Sequence, residues 1–151
     1  MSWEELLGLL KEQIEIEQRM VRFFTPLSKK SKNSIVRSLL HGLALDSMKH
    51  ADMLQVLVEL TTGALVSDFE RYDLSKMLDK HVADEKDALD RIEKIISRVE
   101  DSRAQFMLSQ IAADERKHHR LLEELIRISE SKEVVKSEEW WEFLERNEWL
   151  F

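Results

Sequence analysis

Shifted by 68 positions, the chain falls on itself without a gap. Leu6 lands on Leu74, Leu10 on Leu78, Glu17 on Glu85, Ala44 on Ala112, Asp46 on Asp114, Lys49 on Lys117, His50 on His118, Leu54 on Leu122 and Leu57 on Leu125. Self-similarity at a fixed period marks a duplicated structural unit. A shared hydrophobic stripe alone would match the leucines and not the acidic, basic and imidazole positions. The fold must therefore accommodate two copies of one unit, and each copy must hold its polar matches in equivalent places.

The unit is a pair of helices. Leu6, Leu10, Ile14, Val21 and Phe24 recur at three- and four-residue steps, and Ser2 with Glu5 forms a capping box. This predicts a first helix over 3–24, stopped by Pro26 and a basic link at 29–32. Leu39, Leu43, Leu54 and Leu57 predict a second over 33–61, with Gly63 at its C-terminal cap. The repeat gives a third helix over 74–98 and a fourth over 102–128, capped by Asp101 or Ser102. Between the two pairs, 64–72 reads as a connection long enough to cross the length of a bundle. The expected fold is all-α: a four-helix bundle over 1–132, followed by a tail over 133–151. Ser137 opens a short helix there, bearing Trp140, Trp141, Phe143, Leu144, Trp149, Leu150 and Phe151, whose aromatic face packs on the bundle or on a partner subunit.

Composition agrees and narrows the chemistry. The 151 residues contain three glycines, one proline and 35% charged residues, a balance suited to long helices. A net charge of −7 leaves no basic field for nucleic acid. With no cysteine, disulfides, iron–sulfur clusters and thiol catalysis are excluded, and any metal must be held by His and carboxylate. The charged stretch Ser2-Trp3-Glu4-Glu5 is not followed by an apolar run long enough to be expected of a signal peptide, and no run of about 18 apolar residues occurs. A soluble, cytoplasmic protein is expected.

Polar residues sit where the stripes call for apolar ones. Glu115 and His118, at i and i+3, share one face with Ile111, Leu122 and Leu125. Glu85 lies in the stripe of Leu78, His81, Leu89 and Ile92, and Glu17 in that of Leu10, Ile14, Val21 and Phe24. Ionised carboxylates in such positions are costly unless paired or bound to a cation. A lone Glu-x-x-His is common in charged sequences; its coincidence with matching polar positions on four helices is not. His41 and His119 fall off the inward stripes and read as surface residues, whereas Met20, Phe24, Met77 and Phe106 read as core filling.

One Glu on each of two helices, with Glu-x-x-His on each of the other two, is the ligand pattern of ferritin-like di-iron carboxylate proteins. Glu17, Glu85, Glu115-Arg116-Lys117-His118 and the half-match Ser47-Met48-Lys49-His50 resemble that pattern in its rubrerythrin and bacterioferritin branch. The resemblance spans the four helices but not the tryptophan-rich tail. It implies iron as cofactor, with Mn or Zn as alternatives. Glu17, His50, Glu85, Glu115 and His118 are the ligands it implies, with Asp46 orienting His118 and Asp114 orienting His50. Ser47 departs from it, standing where the family has a bridging glutamate. A hydroxyl is a poor substitute for a carboxylate, and His81, one turn before Glu85, could supply a replacement nitrogen, as Gln13 could more weakly. Two metals with altered ligands, one metal, or none are all compatible with the sequence.

The resemblance implies a metal-dependent oxidoreductase acting on peroxide or dioxygen. Without cysteine the chain has no rubredoxin-like electron relay, so an external electron donor is expected. Iron handling without turnover and a structural bundle with a decayed site are the rival functions. A homodimer is expected from the aromatic tail.

Overall fold

The computed structural model describes residues 1–62, 74–130, 142, 145 and 146. The chain is all-α, with helices α1 (Trp3–Lys30), α2 (Ser34–Thr62), α3 (Leu74–Ile96) and α4 (Ser102–Glu130). They fall into two units, Met1–Ser67 and Asp68–Phe151. In the first α1 packs on α2, and in the second α3 packs on α4. This is the helix-pair plan of a ferritin-like fold, and its two pairs are the two copies found by the 68-residue shift. The expected crossover at 64–72 and the tail's aromatic residues lie outside the described residues. Among the described residues, no helix is long and apolar enough to cross a membrane.

The helix starts are built from local chemistry. Ser2 Oγ accepts from the Glu5 amide at 3.1 Å, while Glu5 Oε2 accepts from the Ser2 amide at 2.7 Å. This is the capping box expected of α1. At the start of α2, Asn33 Oδ1 accepts from the amides of Ile35 and Val36 at 2.9 and 3.1 Å. At the start of α4, Asp101 Oδ1 accepts from the amides of Arg103 and Ala104. The Arg103 guanidinium and those two amides hold the Asp101 carboxyl down at about 2.

Pro26 does not end α1, which runs on to Lys30. An internal proline removes one helical hydrogen bond and crowds one carbonyl, costing about 3 kcal/mol. The helix continues past it nonetheless. Ser28 is buried, with its hydroxyl donating to the Thr25 carbonyl at 2.8 Å, and the chain turns only at Ser31.

The first pair is antiparallel: Glu17 faces His50, and three residues further along α1, Met20 meets Ser47, three residues back along α2. Its seam buries Leu10, Ala44 and Val58, and that of the second pair buries Ala112. Ala44 and Ala112 are equivalent in the repeat. A small side chain at each lets the helix axes approach closely.

Phe24 is half-buried, but Met20 and Phe106, expected in the core, are exposed. The Met77 side chain lies outside the described residues. Leu39, Leu43 and Leu57 of α2 are also exposed, as are Phe106, Met107 and Ile111 of α4.

Candidate metal centre

In the second pair, α3 supplies Glu85 and α4 supplies Glu115 and His118. One ligand atom of each lies within 4.8 Å of the others. Two donors on opposite sides of one ion stand at most about 4.4 Å apart, given metal–oxygen and metal–nitrogen bonds of about 2.0–2.2 Å. Only one pair of the three can stand that far apart on a single ion, so side-chain torsions would have to draw the donors closer to seat all three on it. The i, i+3 spacing places Glu115 and His118 on one face of α4, and packing on α3 sets Glu85 opposite them.

The electrostatics suit a cation. Glu85 Oε2 is buried and has no hydrogen-bond partner. Glu115 is held above its ordinary carboxyl range, first by hydrogen bonding with Glu85, then by burial and by the Glu85 charge, with His118 pulling the other way. Two carboxyls at this distance avoid each other's charge by retaining a proton. A divalent cation removes the same repulsion and displaces that proton. The donor set of two carboxylates and one imidazole fits iron, manganese or zinc.

The first pair holds a thinner version. Glu17, only 8% exposed, points its Oε2 toward His50 Nδ1 at 3.7 Å, and that oxygen too is buried without a hydrogen bond. Its other oxygen accepts from the Gln13 side-chain amide at 3.2 Å. Ser47, 6% exposed, occupies the place equivalent to Glu115 and donates its hydroxyl to Met20 Sδ at 3.6 Å.

The expected ligands thus group as Glu85, Glu115 and His118 in one unit and Glu17 with His50 in the other. His50 and His118 present about half of their side-chain surface to solvent. His81 is exposed and outside the three-residue group. Asp46 is paired with Lys49 at 3.6 Å, and Asp114 is exposed. His41 is exposed as expected. His119 differs from its expected surface role: it is half-buried, with Nε2 3.2 Å from Glu123 Oε1 and a buried Nδ1 that has no partner.

Two contacts at the first pair, Gln13–Glu17 and Ser47–Met20, were not anticipated. The Gln13–Glu17 bond has a signal, since Gln and Glu four apart on a helix meet. Ser47–Met20 joins two helices and has none.

The protein-family model described as Rubrerythrin matches residues 8–126, which run from the first turns of α1 to the end of α4. No curated protein and no solved structure matches the chain.

Proposed function

Because this chain belongs to the rubrerythrin family, we propose that it is a metal-dependent oxidoreductase that reduces peroxide or dioxygen. Its metals would be held by Glu85, Glu115 and His118 from one helix pair and by Glu17 and His50 from the other. The observation that carries this reading is the convergence of the three donors of the second pair within 4.8 Å, with Glu85 Oε2 buried and unpartnered among them. Buried anionic oxygens of this kind are stable when a cation neutralises them.

Iron bound there would supply one-electron redox capacity together with Lewis acidity toward an oxygen ligand. The chain's own residues would do the rest. Glu85, Glu115 and Glu17 provide anionic oxygens that favour the higher oxidation state, and His118 and His50 each provide a neutral nitrogen. Glu115, whose carboxyl is inclined to hold a proton in metal-free protein, would give that proton up on binding the ion. Reducing one hydrogen peroxide to two waters consumes two electrons and two protons. With no cysteine in the chain, the electrons would come from a separate reduced donor protein or small reductant.

The test is anaerobic reduction of iron-loaded protein followed by addition of hydrogen peroxide, with metal oxidation read by absorbance and turnover by oxidation of a supplied reductant. Wild type should turn over repeatedly, and Glu115→Gln should lose at least about 100-fold, since removing a ligand should cost at least as much as removing a group that supports one. Iron that binds and oxidises once without turnover would favour the second reading, iron handling, to which the serine at position 47 lends weight. Absence of bound metal would contradict both.

A further inference from the structure

The two helix pairs are copies in sequence but not in donor chemistry. Around the shared Glu and His, the second pair adds the carboxylate of Glu115, whereas the first has Ser47 at the equivalent position. The buried Ser47 hydroxyl is turned to Met20 Sδ, and a neutral hydroxyl brings no charge to a cation. The repeat partner of His81 is Gln13, whose amide donates to Glu17 Oε1. It therefore occupies a lone pair that a metal would use and presents the positive end of its dipole there.

The ionisable donors are two carboxylates and an imidazole in the second pair, against one carboxylate and an imidazole in the first. Both pairs nevertheless retain a buried carboxylate oxygen without a partner, Glu17 Oε2 and Glu85 Oε2. Each half thus keeps an orphaned acceptor, and only one has the donors to build an ion's coordination on it.

From this contrast, and resting on the proposed metal-binding function, we infer that the two metal positions are unequal. Glu85, Glu115 and His118 bind a divalent cation first and tightly. The position at Glu17 and His50 loads afterwards and weakly, because Ser47 and Gln13 withhold the donors it lacks. Ser47 and Gln13 are positioning residues in this scheme, acting on the ion through what they deny to it or to Glu17. Loss of a carboxylate ligand should exceed the effect of losing a hydrogen bond to a ligand, which is about 10- to 100-fold in affinity. The second ion should therefore bind at least about 100-fold more weakly than the first.

The experiment is titration of the metal-free full chain with Co(II), read by equilibrium dialysis for the number of ions and by the visible absorption of cobalt for their coordination. Wild type should take up one ion per chain in a tight phase, with any second ion well separated from it. His118→Ala should abolish the tight phase. His50→Ala should leave the tight phase within a few-fold of wild type and remove only the weak one. Ser47→Glu should bring a second ion to comparable tightness, and Gln13→Ala, which frees Glu17 Oε1 without adding charge, should strengthen the weak phase while leaving the tight one alone.

Two ions of equal affinity in wild type would overturn the inference while leaving the proposed function standing, as would loss of the tight ion in His50→Ala. No cobalt bound at any concentration would overturn the function itself. The wild-type isotherm and the two histidine variants decide the matter even if Ser47→Glu fails to fold.

Discussion

Glu115 shows how a single side chain can serve a site at the expense of the fold. Hydrogen bonding with Glu85, burial and the Glu85 charge hold its pKa above the ordinary 4.5. In metal-free protein the folded state then keeps a proton that the unfolded state has already released above pH 4.5. Stability should fall as pH rises through the raised folded value. Glu115→Gln preserves shape and hydrogen bonding to Glu85 but cannot ionise. Thermal melts of metal-free protein from pH 5 to 8 should show the variant more stable than wild type at the upper end, with a flatter pH dependence. A variant less stable than wild type at neutral pH would show that the Glu85–Glu115 pair is not repulsive. The sequence displayed Glu115 and His118 through their spacing, and Glu17 and Glu85 through their place in apolar stripes. It could not display that Ser47 turns to Met20 or that Gln13 restrains Glu17, because both depend on rotamers fixed by neighbours.

At the scale of the element, hydrogen-bonded caps mark where α1, α2 and α4 begin. Asn33 lies between α1 and α2 and satisfies two amides of the first turn of α2. Asn33→Ala should cost about 1 kcal/mol in urea unfolding, the usual value of such a cap, whereas Asn33→Asp should cost little. An alanine variant as stable as wild type would mean that water caps this turn equally well. Starts were legible in the sequence because Ser2, Glu5 and Asp101 carry their partners within three residues. The end of α1 was not, since Pro26 is a local stop signal and the helix nonetheless runs on to Lys30. The same limit explains His119, placed at the surface by its stripe yet half-buried beside Glu123. Its distance from the main stripe is readable from periodicity, and so is its i, i+4 spacing to Glu123; the burial of its Nδ1 is not.

For the molecule as a whole, the duplicated helix pair was the most legible feature, because it rests on nine identities spread over all four helices. Those identities predicted four helices in two packed pairs, and α1 with α2 and α3 with α4 are the pairs found. What duplication could not convey is how far the copies have diverged in chemistry. One keeps two carboxylates and an imidazole within reach of one ion; the other keeps a single buried glutamate facing a histidine. The proposed chemistry depends on a cation held by carboxylate oxygen and imidazole nitrogen at Glu85, Glu115 and His118. X-ray absorption at the iron edge of protein loaded with one ferrous ion per chain addresses this directly. It should show oxygen and nitrogen neighbours at about 2.0–2.2 Å with the outer-shell scattering of imidazole, a signal that His118→Ala made in the His50→Ala background should remove. A spectrum without imidazole, or one unchanged by His118→Ala in that background, would mean that the ion is held elsewhere.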